Sequence, residues 1–317
     1  MEFQMVVNKL YIPALLCFVS IVLTSCEEEY TPLPSASGPK YVVEGYLETG
    51  EGAAPPYLLL TRPFDFYSTI SPDDFDGSFI HDAIVSVSDE SKTVMLQEIC
   101  FNDLDDETKE LLANFLGYNA DSLAVNFCAY MDLFNQLKPE EGKSYALEIL
   151  VEGDTITSTT YIPVLVPLDS MRFKAPPGEP NDALAQLSCF LSDPPNEANF
   201  YRILGSTNGG PFEAGFAGVE EDVYFDGKSF EFQLLNPQTS NGDVEPDEFG
   251  LYFVGDTITI KWASIDEATF DFWNTVEFAA ANQGPFATYT RIQSNIQGGI
   301  GIWGGYSVSY QTMIVDY

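Results

Sequence analysis

The chain has 317 residues, 45% hydrophobic and 14% aromatic, with 48 acids against 13 Lys and Arg and a net charge of −35. This composition supports a packed core and excludes wholesale disorder. So acidic a surface excludes nucleic-acid binding by phosphate neutralisation and charge-driven attachment to an anionic leaflet; its plain reading is solubility, its sharper one a surface for cations or basic partners.

Met1–Lys9 carries one lysine, Lys9, and one acid, Glu2. Leu10–Leu23 is apolar apart from Pro13 and Ser20. That is the length of a signal-peptide core and falls short of the roughly 20 residues a spanning helix needs. The run ends in Leu23-Thr24-Ser25-Cys26. A small residue before a cysteine, with an apolar residue three before it, resembles a lipobox, in which Cys26 is acylated and becomes the first mature residue. An ordinary signal peptide and a short N-terminal anchor are the other readings. Glu27, Glu28 and Glu29 follow at once and resemble the surface-export signal of Bacteroidota lipoproteins; the alternative is a merely solvated tether at the periplasmic leaflet. Residues 30–39 (YTPLPSASGP) are rich in Pro and Ser and read as an extended linker.

The expected organisation is a signal peptide over 1–25, a tether over 26–39, a first β domain over 40–163, and a second β-rich domain over 164–317. Strands are expected over Lys40–Glu48, Tyr57–Arg62, Asp82–Asp89 and Val94–Cys100, and a hairpin over Lys143–Val151 and Asp154–Ile162 turning at Glu152-Gly153. Short strands with turns between them point to a small β-sandwich. A helical insertion interrupts it over about 101–138. Asp103–Gly117 has early acids, then Leu111, Leu112, Phe115 and Leu116, with Gly117 as a stop. Ser122–Leu137 is a second helix or a strand.

Pro163–Pro180 is proline-rich and marks the domain boundary. Beyond it, strands are expected over Ala183–Leu191, Asn199–Ser206, Ser229–Leu235, Asp256–Ile265 and Ser307–Val315. Asp266–Asn282 is the best helix in the chain, with a stripe of Phe270, Trp273, Val276 and Ala280 and acids at its positive end. The glycine-rich run Gly298–Gly305 lacks the Lys-Ser/Thr of a phosphate loop and reads as a tight path that lets Ile302 and Trp303 pack.

Five cysteines are present. With Cys17 in the signal and Cys26 acylated, Cys100, Cys128 and Cys189 remain, and three cannot all pair internally. Cys100 and Cys128 bracket a distinct segment and form the preferred disulfide in an oxidising compartment, leaving Cys189 a buried thiol. His81 is the sole histidine, and neither Gly-x-Ser-x-Gly nor His-Glu-x-x-His occurs. Carboxylates are abundant, yet nothing singles out a glycosidase pair. The calcium candidates are Asp73-Asp74-Phe75-Asp76, Glu220-Glu221-Asp222 with Asp226, and, best, Asn241–Glu248, where Asp243, Glu245 and Asp247 offer oxygen ligands. Tyr252 and Val254 stand where a closing Glu is needed, so a solvated acidic loop is the stronger reading and no cofactor is expected.

The lipobox, the opening VVEGYLETG of residues 42–50, GDTITIKWASID of residues 255–266 running into a Phe/Trp-bearing helix, and the tail SNIQGGIGIWGGYS of residues 294–307 together resemble a Bacteroidota lipoprotein family described as domain of unknown function 4249. The resemblance runs from Lys40 to the C-terminus and is most specific at Ser294–Ser307. It implies an outer-membrane lipoprotein, often encoded beside a TonB-dependent receptor, whose first part is a transthyretin-like or immunoglobulin-like sandwich. It carries no catalytic residues. The expected function is therefore a surface-exposed, non-catalytic accessory or binding partner of a TonB-dependent β-barrel transporter. The alternative is a carbohydrate-binding or weakly hydrolytic surface protein using the aromatics, most of which a β core needs for itself.

Overall fold

A computed structural model describes residues 40–64, 71–109, 126–178, 181–240, 244–282 and 290–317. In the first half of the chain the strands are β1 (Val42–Thr49), β2 (Tyr57–Thr61), β3 (Ile84–Ser88), β4 (Thr93–Cys100), β5 (Cys128–Met131), β6 (Lys143–Val151) and β7 (Asp154–Ile162). In the second half they are β8 (Leu168–Lys174), β9 (Leu184–Ser192), β10 (Phe200–Thr207), β11 (Glu213–Glu221), β12 (Ser229–Leu234), β13 (Tyr252–Phe253), β14 (Thr257–Ile265) and β15 (Ile300–Ile314). Helices among the described residues include α1 (Pro72–Asp76), α2 (Pro237–Ser240) and the long α3 (Glu267–Ala281). The chain is mostly β with one conspicuous helix.

Eleven strands form one mixed sheet in the order β11-β10-β14-β15-β1-β2-β5-β4-β3-β6-β7. Its far edge curls back: Thr157 of β7 bridges Gln297 just before β15, and Ser158 Oγ donates to the Asn295 carbonyl at 2.9 Å. The curl wraps a core of Val43, Leu58, Val85, Leu96, Tyr145, Leu147, Ile149 and Ile156. These are the inward positions of alternating strands; β6 reads exposed and buried by turns from Ser144 to Val151.

The second half is a sandwich. β9 is the hub of a small sheet, paired with β8, β12 and β13, and this sheet faces the β10–β14 end of the large one. Between them lie Ala185, Leu187, Cys189 and Leu191 of β9 against Tyr201, Ile203, Ile260 and Trp262. Cys189 is a free, buried thiol, which burial pushes up to about 12.

The last strand crosses the division at residue 163. β15 pairs antiparallel with β14 and parallel with β1, and its Trp303 lies fully buried in the core of the first half. From Ile300 onward the glycine-rich run is itself strand, and Ile302 and Trp303 pack from it into the cores. Gly301 adopts φ +120°, and a Cβ there would stand 1.8 Å from the Val43 carbonyl oxygen, so only glycine lets the two backbones come together.

The interruption of the first half is shorter than residues 101–138. Phe101–Asp103 is a 3-10 turn and residues 106–109 are helical, while residues 110–125 lie outside the described part. Cys128–Met131 of the expected second segment is strand β5, seated between β2 and β4. Its four side chains are all buried, a pattern with neither period to betray it. The helix α3 starts where expected: Asp266 caps it, accepting from Thr269 N at 3.0 Å. Among the described residues no helix is long and apolar enough to cross a membrane.

Candidate functional site

Of the residues singled out by sequence, Cys26, Glu27, Glu28, Glu29 and Asp243 lie outside the described part. Cys100 and Cys128 are joined in a disulfide. They stand directly opposite each other on β4 and β5, so adjacent strands supply the geometry and the bond closes a separation of 28 residues. His81 pairs its Nδ1 with Glu98, whose other oxygen accepts from Asp82 N at 3.0 Å. Both sulfurs beside them are committed to the disulfide and offer no thiolate to a metal.

The acidic calcium candidates scatter. Glu245 and Asp247 are exposed and belong to no cluster of three ligating side chains among the described residues. Asp74 caps its own turn, accepting from Ser71 N at 3.0 Å, and Asp76 accepts from Asn126 N at 2.7 Å. Asp222 and Asp226 do converge, but with Asp193 rather than Glu220, their oxygens lying within 4.8 Å of one another. Protein donors already occupy these carboxylates. Asp193 accepts from the Tyr201 hydroxyl at 2.5 Å and Gly227 N at 3.0 Å, Asp222 from Asn199 N at 3.0 Å, and Asp226 from Asn196 N at 2.8 Å. The cluster ties loops together.

Glu220 instead borders a cavity of about 320 Å³ between the two layers of the second half. One wall is the inner face of the large sheet. Tyr201, Ile203 and Gly205 alternate along β10, and their partners across the ladder are Glu220 on β11 and Trp262 and Ile260 on β14. Directly opposed residues share a face, so register alone brings Glu220 beside the Tyr201 ring. The other wall is β12, where Phe230, Phe232 and Leu234 alternate inward, Gln233 also borders the space, and Ser229 and Glu231 are exposed outside it. Phe230 and Phe232 are only half-buried because they face open space. Gly205 gives room to the helix α2: a Cβ would lie 3.0 Å from Pro237 Cγ.

The lining is aromatic and ordered. Tyr201 stacks on Trp262 with centroids 4.9 Å apart, Phe225 and Phe230 lie at 4.7 Å, and Phe232 reaches Trp262 at 6.2 Å. Asp193 fixes the Tyr201 hydroxyl, and the Trp262 indole donates to the Val166 carbonyl at 2.8 Å. Both rings therefore present apolar faces with their polar atoms satisfied elsewhere. Glu220 is the one charged residue among the described lining. Partial desolvation, then the neighbouring Glu221 and Glu277 carboxylates, hold it above the usual carboxylate range.

The expected strand Ser229–Leu235 matches β12, Ser229–Leu234, whereas Glu220, named only within a weak calcium candidate group, stands at the cavity instead. The discoverable signal was Phe230-x-Phe232-x-Leu234, an inward face with more apolar surface than a short sheet needs. Volume, cavity shape and burial suit it to hold a small ligand; its described lining contains no Ser, Thr, Cys, Lys or His.

No curated protein and no solved structure matches the chain. A family does: its model covers residues 27–312, which takes in the whole cavity and every described strand but for the last two residues of β15, and the chain accordingly belongs to the family described as domain of unknown function DUF4249.

Proposed function

We propose that the chain is a lipoprotein, acylated on Cys26 and displayed on the outer face of a Bacteroidota-type outer membrane, where its β body acts as a non-catalytic binding partner of a TonB-dependent transporter. The observation that carries this reading is the run from Leu10 through Leu23-Thr24-Ser25-Cys26 into Glu27-Glu28-Glu29. Each acyl methylene buried in the bilayer contributes about 0.8 kcal/mol, so several chains on one cysteine anchor durably without a spanning helix. The acids supply an export address, and residues 30–39 a spacer that lifts the folded part off the lipid.

The β body supports a binding role. It offers an aromatic cavity, and its carboxylate clusters are engaged in holding loops. The experiment is metabolic labelling of cells with an alkyne fatty acid, combined with protease treatment of intact cells. The wild-type chain takes up label and is shaved from the surface, and Cys26→Ser abolishes the label. Label surviving in Cys26→Ser, or full protection of the chain on intact cells, overturns the reading. Crosslinking on the same cells tests the transporter: a β-barrel adduct supports the partnership, and exclusively periplasmic adducts sink it.

A further inference from the structure

We infer that the cavity between β10–β14 and β12 is a binding site for a small hydrophobic cation, an aryl or polycyclic amine, with its rings against Trp262, Tyr201 and Phe232 and its ammonium at Glu220. The assignment stands apart from where the chain is anchored and from any transporter.

Three observations carry it. First, the space is built rather than incidental. Phe230 and Phe232 point inward from a regular strand yet remain half-exposed, and the volume of about 320 Å³ accepts one or two fused rings with a short arm. Second, the ring faces are available. The polar atoms of Tyr201 and Trp262 are bound to Asp193 and Val166, outside the cavity, so what faces inward is π surface, which attracts a cation held above it. Third, the charge is one-sided. Glu220 is the single charged residue in the described lining, and Glu221 and Glu277 stand close enough to repel it. An ammonium at Glu220 relieves that repulsion. A carboxylate ligand adds to it, and the net charge of −35 opposes its approach as well. A neutral ligand fills the rings but leaves the carboxyl without a partner.

The test is calorimetric titration of the purified full-length chain with three probes of one shape: 2-naphthylmethylamine, 2-naphthylmethanol and 2-naphthoate. The amine binds saturably at one site per chain, and the naphthoate is at least about tenfold weaker, the size of one lost charge-assisted contact. Glu220→Gln, an isosteric change at the rim, brings the amine down to the affinity of the alcohol. Phe232→Ala weakens amine and alcohol together. Naphthoate binding as tightly as the amine, an amine affinity untouched by Glu220→Gln, or no saturable binding of the amine overturns the assignment.

Discussion

Gly45 stands directly across the β1–β15 pair from Trp303, and a Cβ on it would come within 2.7 Å of the indole. The glycine makes room for the largest side chain of the first core, delivered by the last strand of the chain. Gly45→Ala must displace a buried ring whose Nε1 donates to the Tyr145 carbonyl at 3.2 Å. Overpacking of this kind costs about 1 to 3 kcal/mol. The expected outcome is a lower urea midpoint with an unchanged m-value. Because β15 serves both halves, unfolding stays a single transition by fluorescence and far-UV dichroism; two separated transitions would show that the halves stand independently.

Asp266 makes a second such bond between halves. One oxygen caps the long helix α3 through Thr269 N at 3.0 Å, and the other accepts from Thr160 Oγ1 at 2.9 Å and Tyr161 N at 3.0 Å on β7. Asp266→Ala loses a cap, typically about 1 kcal/mol, and also leaves partly buried donors unpaired, at about 1 to 3 kcal/mol. A thermal melt should show a drop larger than a cap alone explains. Asp266→Asn keeps one acceptor oxygen and should recover part of it. A loss no greater than an ordinary cap would mean the β7 contacts contribute nothing.

How much of this was legible depends on where each signal lives. β3, β4, β6 and β7 match their expected ranges to within two residues, because alternation between a wet and a dry face is written in the residues themselves. β8 and β11 were missed. The first emerges from a proline-rich stretch and is exposed or half-buried along most of its length, and the second is an edge strand rich in glycine and acids. β15 was expected only from Ser307, since glycine argues against strand until a partner backbone needs the space. No local pattern states that residues 300–307 pair in parallel with residues 42–49. The candidate site divides in the same way. The strand carrying Phe230 and Phe232 was legible, but that their face is uncovered, and that Glu220 lies against it, depends on register between strands far apart in sequence.

The Cys100–Cys128 bond closes a loop of 28 residues, for which chain entropy gives roughly 3 to 4 kcal/mol of stabilisation. Paired replacement of both cysteines by serine should lower the free energy of unfolding by that order, read from urea curves, with Cys189 left in place. Cys189 should meanwhile resist alkylation in the native chain and react on unfolding, since burial holds its thiol up at about 12. Rapid native labelling of Cys189 would contradict its place in the second core.

Glu44 offers the clearest pH dependence. It lies on β1, accepts from the Tyr46 hydroxyl at 2.9 Å, and is held above the usual carboxylate range by burial, which outweighs the lowering effects of Tyr46 and Arg202. A carboxyl raised in the folded state binds a proton more tightly there than in the unfolded chain. Its contribution is therefore fully present below the ordinary carboxylate value, near 4.3, and is lost as pH rises through the folded value. Glu44→Gln keeps an acceptor for Tyr46 and removes the charge. It should stabilise the chain at neutral pH, and the gain should shrink to nothing as pH falls below the ordinary range. Urea titrations of both forms across that interval provide the measurement. A variant less stable than wild type at neutral pH would instead mean that the attraction between Glu44 and Arg202 outweighs the desolvation of the carboxylate, and would reverse the sign of the slope.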